Sequence, residues 1–205
     1  MALSFFIKGL IFGFSIAMPV GPIGVLCIRR SLAHGWRAGM LTGTGAATAD
    51  ALYGCIAGFG LAGLSSLLVG QRVWIQLLGG LFLCYLGLRI VLATNDPEPT
   101  GEASVQGARG YFSALVLTLT NPMTILSFTA VFAGMGLGGI GTDRWDAAWL
   151  VAGVFSGSMV WWVILAAASS IFNTRLRPAA MGWINRISGT ILVGFGLVAI
   201  VAGFN

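Results

Sequence analysis

Charge is what this sequence has least of, and the scarcity sets its class. Charged residues make up 8% of the chain and hydrophobic ones 57%, with a mean hydropathy of +0.92. In a soluble domain about a quarter of the residues are charged. A soluble globular domain is therefore excluded, and an integral membrane protein remains. One histidine and six acidic residues give no Ser-His-Asp or paired-carboxylate arrangement within a membrane, so no enzyme chemistry is expected. Cys27, Cys55 and Cys84 fall one in each of the first three apolar segments, without a C-x-x-C spacing. That pattern suits packing as small hydrophobes rather than a redox pair, and with a single histidine it leaves no metal site. Gly43-Thr44-Gly45 has no strand before it and lies in an apolar span, which excludes a dinucleotide loop, so no cofactor is expected. The net charge of +5 comes from scattered loop arginines. Without a basic cluster, nucleic acid is not a partner.

Apolar length and glycine are what the chain has in abundance. At about 20 residues per span, 205 residues leave room for about six helices joined by short loops. The 31 glycines favour closely packed transmembrane helices over a barrel, whose alternating segments of about ten residues are absent. Apolar segments cover 5–28, 38–64, 73–93, 110–135, 147–172 and 183–203, and a polar linker at 96–108 separates repeat one (1–95) from repeat two (109–205). The first run, beginning around Lys8, is too long for a signal-peptide core and is expected to be retained. Trp74-Ile75, Gly80, Leu83 and Gly87-Leu88 match Trp183-Ile184, Gly189, Leu192 and Gly196-Leu197 at one constant offset. Three spans per copy require the second copy to insert upside down. The expected fold is an all-α integral membrane protein, a single transporter domain of six transmembrane helices in an inverted 3+3 repeat. Arg29, Arg30, Arg37, Arg89, Arg109, Arg175, Arg177 and Arg186 flank the odd-numbered loops, against Lys8, Arg72 and Arg144 on the other side. By the positive-inside rule those loops are cytoplasmic and both termini lie outside.

Two helices of this plan are broken. In the first, Pro19-Val20-Gly21-Pro22 interrupts the apolar run, and each proline removes a backbone donor where no water can replace it. In the fourth, Asn121-Pro122 leads to Thr124 at a similar depth. Paired breaks in corresponding helices point to a substrate site near the midplane, framed by Pro19, Gly21, Pro22, Asn121, Pro122 and Thr124. Asp50 is the acidic residue near the centre of a span, a placement costing roughly 2.5–3.5 kcal/mol on insertion scales. Its helical face reads Gly43, Ala46, Ala47, Gly54, Ala57 and Gly58, so the carboxyl points into the bundle. It could carry a proton, pair with a substrate ammonium, or hydrogen-bond a broken-helix backbone group. Thr42, Thr44, Thr48 and Tyr53 read as packing or helix–helix hydrogen bonds, and Trp161-Trp162 as bundle packing. The spacings Gly9-Gly13, Gly54-Gly58 and Gly153-Gly157 hint at a homo-oligomer.

Taken together, Pro19-Val20-Gly21-Pro22, the stretch from Arg30 through His34-Gly35-Trp36 to Gly39, the small-residue helix around Asp50, Tyr85-Leu86-Gly87-Leu88-Arg89 and Thr120-Asn121-Pro122 resemble the LysE/RhtB amino-acid exporter family, over nearly the whole chain. The resemblance implies an inner-membrane carrier that exports amino acids or similar metabolites in exchange for protons, with Asp50 as the coupling residue and both breaks at the substrate site. Met123 stands where many relatives have lysine. Val20 and Ile23 stand where superfamily members that move reducing equivalents have cysteine, which disfavours thiol-redox transport. A metal or anion transporter of the same superfamily and a non-transporting membrane assembly component are the alternative readings.

Overall fold

The computed structural model describes residues 2–19, 21–58, 71–92, 103–121, 124–125, 127–128, 144–171 and 178–204. Among them the regular elements are all helical: α1 (Ala2–Ala17), α2 (Pro22–His34), α3 (Trp36–Gly58), α4 (Arg72–Leu92), α5 (Ala103–Leu119), α6 (Arg144–Ser170) and α7 (Pro178–Phe204). By length and apolarity α6 and residues Gly182–Phe204 of α7 can each cross a hydrocarbon layer, and α1 with α2 qualifies as one bent span. The helix at Gln76–Leu92 is apolar but shorter. Large apolar side chains such as Trp74, Leu78, Leu81, Trp183, Ile187 and Val198 are exposed on the outer surface, as a chain with lipid for a neighbour requires. Residues 96–108, read from sequence as a polar linker, are helical from Ala103 onward, because Ala103, Gln106 and Ala108 favour helix once the prolines of the linker are passed.

Local sequence explains where the helices stop. Pro22 occupies the first turn of α2, where its missing N–H costs nothing, and Gly21 is the N-cap with φ −100° and no side-chain cap. Met18 N–H still closes the last turn of α1 on the Phe14 carbonyl at 3.0 Å. The two axes then bend by 81°. At the other end of α2, Gly35 adopts φ +83°, a left-handed conformation that favours glycine, and its N–H caps the Ser31 carbonyl at 3.0 Å. In α3, Thr42, Thr44 and Thr48 each donate to the carbonyl four residues back, at 3.0, 2.8 and 2.8 Å, which satisfies hydroxyls inside an apolar helix.

Small residues decide which helices meet. Gly9 and Gly13 of α1 face Gly153, Val154 and Gly157 of α6 so closely that a Cβ on any of these glycines would collide with backbone of the other helix. The glycine pairs that hinted at an oligomer are thus partly consumed inside the chain: a 3.6-residue period puts them on the face that α1 and α6 share. Gly45 of α3 rests on the Tyr111 carbonyl of α5, and Gly43 rests on the Trp162 side chain of α6. Between α4 and α7 the contacts run crosswise. A methyl group on Gly80 would lie 2.7 Å from the Gly196 carbonyl oxygen, and one on Gly87 2.6 Å from that of Gly189. Helix α2 is tied to its neighbours by polar contacts: Arg30 donates to Thr42 at 3.0 Å, the Gly110 carbonyl at 3.0 Å and Ser113 at 2.8 Å, and Arg29 donates to Asn185 at 2.9 Å.

Candidate functional site

Asp50 projects from the middle of α3 into the interior and is 3% exposed. The small face around it does what its composition implies. Ala46 and Ala47 are buried in the main apolar cluster, and a Cβ on Gly54 would come into ordinary contact with Val151 and Val154. The carboxyl receives a hydrogen bond from across the bundle, with Ser158 Oγ of α6 donating to Oδ2 at 2.6 Å. Ser158 in turn accepts from Trp162 Nε1 at 3.1 Å. An indole N–H can only donate, so the relay has one direction, from Trp162 through Ser158 to Asp50. Serine and tryptophan are both buried. A short hydrogen bond to a carboxylate is among the stronger kinds.

One turn beyond Asp50, Tyr53 donates to the Leu119 carbonyl at 2.7 Å. That carbonyl belongs to the last turn of α5, where backbone acceptors lose their intrahelical donors. The Tyr53 ring stacks on Phe128 with centroids 5.3 Å apart. Tyr53, Ile125, Phe128 and Val154 form a second buried cluster, against which Ile16 and Leu119 pack. Residues flanking both helix breaks therefore converge on the turn of α3 that follows Asp50. Tyr53→Phe is expected to weaken the fold by about 0.5–2 kcal/mol by leaving the Leu119 carbonyl without its donor; reversible unfolding in mixed detergent would measure it, with wild-type stability as the contrary result.

The expected site residues lie as follows. Pro19 is exposed, Gly21 is half-buried beside open space, and Pro22 is buried at the start of α2. Asn121 is half-buried; its N–H donates to the Thr118 carbonyl and its own carbonyl accepts from Ile125 N–H, both at 3.2 Å. Thr124 is buried. Pro122 lies outside the described residues. Sequence reading missed Ser158 and took Trp162 for packing alone. A signal existed: the offset that carries Trp74 onto Trp183 carries Asp50 onto Met159, the neighbour of Ser158. Among the described residues, no three His, Cys, Asp or Glu side chains are grouped as a metal would require.

Comparison with known families decides the wider identity. The family model described as LysE type translocator matches residues 14–203, which take in both breaks, Asp50 and Ser158. The chain belongs to that family. This LysE type translocator is accordingly a membrane transporter rather than an enzyme. It is similar to YcgF of Bacillus subtilis (strain 168), whose name refers to amino acid efflux, at 26% identity over 95% of this chain and 94% of that protein. It is 27% identical to the threonine efflux protein of Escherichia coli (strain K12), over 71% of this chain and 74% of that protein. It is also 29% identical to the chemotactic transduction protein ChpE of Pseudomonas aeruginosa, over 97% and 98% of the two chains. No solved structure matches this translocator.

Proposed function

We propose that this translocator exports amino acids or closely related small metabolites across the inner membrane by proton antiport, with Asp50 carrying the proton. The observation that carries the reading is the buried Asp50 carboxyl, bonded to Ser158 at 2.6 Å and set one turn from the cluster where residues flanking both helix breaks meet. A carboxyl that is costly to bury and lies one turn from where residues flanking two interrupted helices meet suits a carrier that exchanges a proton for cargo. The names of YcgF and the threonine efflux protein supply the cargo class. Pro19, Gly21, Pro22, Asn121, Pro122 and Thr124 frame the substrate space.

Six spans in an inverted 3+3 repeat fit the packing. Under that symmetry the partners of Gly80 and Gly87 are Gly189 and Gly196, and a two-fold axis turns the contact of Gly80 with Gly196 into the contact of Gly189 with Gly87. Those are the crosswise contacts between α4 and α7. The seam of α1 with α6 and that of α3 with α5 exchange under the same operation. Asp50 and Ser158, almost equivalent in the two copies, then lie close to the axis. The arginine distribution of the loops supports a topology with both termini in the periplasm.

The test is metabolite profiling of the medium from cells over-producing the protein, followed by proton flux in proteoliposomes loaded with whichever amino acid accumulates. Enrichment of an amino acid with substrate-dependent proton entry supports export. Substrate movement without proton movement would remove the antiport. The name of ChpE refers to chemotactic transduction and motivates a second reading, a membrane component of an assembly; the signature of one that moves no substrate is an unchanged medium and no substrate-dependent flux. A metal or anion cargo would appear as ion uptake in the same vesicles.

A further inference from the structure

The main cluster contains a polar atom that the relay does not use. Trp161 Nε1 is sealed from solvent and has no hydrogen-bond partner among the described residues. An indole N–H is a donor with no acceptor capacity, and leaving it buried and unmade forfeits the hydrogen bond it had to water. Such an atom in a carrier calls for an acceptor that arrives.

Its position says where from. Trp161 lies one turn beyond Ser158 on α6, so the serine that holds Asp50 and this indole share a helix face. Its ring meets Phe14 of α1 edge-on, with centroids 5.8 Å apart. It packs against the cluster containing Ala17 and Ile23, which stand on either side of the first helix break. An aromatic face is a weak acceptor at most. The unused donor thus stands on the helix whose Ser158 bonds Asp50 and against the part of α1 that leads into the break, and the cargo class proposed above brings an anionic acceptor, its carboxylate. Asp50 and that carboxylate are like charges, which separates their sites: the acid of the cargo needs a donor away from Asp50, whose own donor is Ser158.

Resting on the export reading, we infer that the Trp161 indole N–H binds the carboxylate of the exported molecule as it enters at the first break. Phe14 and Trp161 part to admit it, and the N–H makes a bond with the cargo that it lacks when empty. Tryptophan is retained there for its donor; a phenylalanine would fill most of the same space.

The experiment uses the full chain in proteoliposomes loaded with the twenty standard amino acids, read by mass spectrometry, and then kinetics on each amino acid that wild type moves. Trp161→Phe is expected to raise KM about tenfold or more, the range of a hydrogen bond to a charged group, with maximal rate near wild type. A benzothienylalanine at 161, which keeps the bicyclic shape and replaces N–H with sulfur, should do the same, so a packing defect in the phenylalanine variant does not decide the matter. The carboxamide analogue of the transported amino acid should be moved poorly by wild type, with that discrimination reduced in both variants. An unchanged KM in the benzothienyl variant overturns the inference, as does a fall in maximal rate at constant KM, which would mean that the N–H serves a backbone carbonyl in another conformation. If wild type moves no amino acid, the export reading itself fails.

Discussion

Replacing Asp50 with asparagine is expected to abolish uphill efflux while leaving the protein at wild-type abundance. Asparagine has nearly the volume of aspartate and keeps an oxygen to accept the Ser158 hydroxyl, so the relay from Trp162 can persist. What is lost is the group that can gain and release a proton. A charge placed near the centre of a span costs roughly 2.5–3.5 kcal/mol on insertion scales, so the neutral variant should insert at least as readily as the native chain. The membrane potential contributes about 2.3 kcal/mol per charge per 100 mV to proton entry, and asparagine cannot use it. In proteoliposomes the variant should fail to move substrate against its gradient under an imposed pH difference, while exchange of labelled for unlabelled substrate at equal concentrations continues. Undiminished uphill transport would remove Asp50 from the coupling. Loss of the folded protein would instead assign it a structural task.

The contrast between Asp50 and Ser158 shows what a sequence gives away. A lone acid in an apolar span stands out because its burial has a large cost, and both the small-residue face that shelters it and the interior position it reaches follow from helical periodicity. A serine in such a span does not stand out, since hydroxyls satisfy themselves on their own helix, as Thr42, Thr44 and Thr48 do here. Apart from the repeat offset that lands on its neighbour Met159, only its partner across the bundle distinguishes Ser158, and that pairing is tertiary. The bend after Ala17 was legible from its prolines, but not its 81° magnitude, which depends on what α2 packs against. Helix starts were less legible than helix cores. The early start of α5 at Ala103 lies in a polar stretch without hydrophobic periodicity to mark it. The glycine spacings read as a hint of a homo-oligomer, whereas Gly9, Gly13, Gly153 and Gly157 line the seam of α1 and α6 within the chain; spacing alone cannot tell a neighbour in the same chain from a second copy.

Two glycines, one in the α1 seam and one at the helix break, are expected to give opposite results. At Gly13 a Cβ would run into the carbonyl and Cα of Val154, which are backbone atoms with no rotamer to yield. Gly13→Ala must therefore push α1 away from α6 or distort one of them, at a cost of about 1–3 kcal/mol for overpacking. The separation would also move Val154, which belongs to the cluster beside Asp50. Reduced yield and a lower unfolding midpoint are the expected readouts, and a fully stable variant would refute the seam. Gly21 differs in every respect. A Cβ there meets nothing within 4 Å, and φ −100° is open to any residue. As the uncapped N-cap of α2 it would, as serine, gain a side-chain acceptor for the first turn, worth about a few tenths of a kcal/mol over glycine in favour of the folded state. Packing and backbone conformation therefore give no reason for glycine at 21, and the substrate space proposed beside the break would supply one. Gly21→Ser should fold at least as well as wild type yet transport with a raised KM, because the added side chain occupies room the cargo needs. Wild-type kinetics in that variant would move the cargo path away from the first break and leave Asn121 and Thr124 to define it.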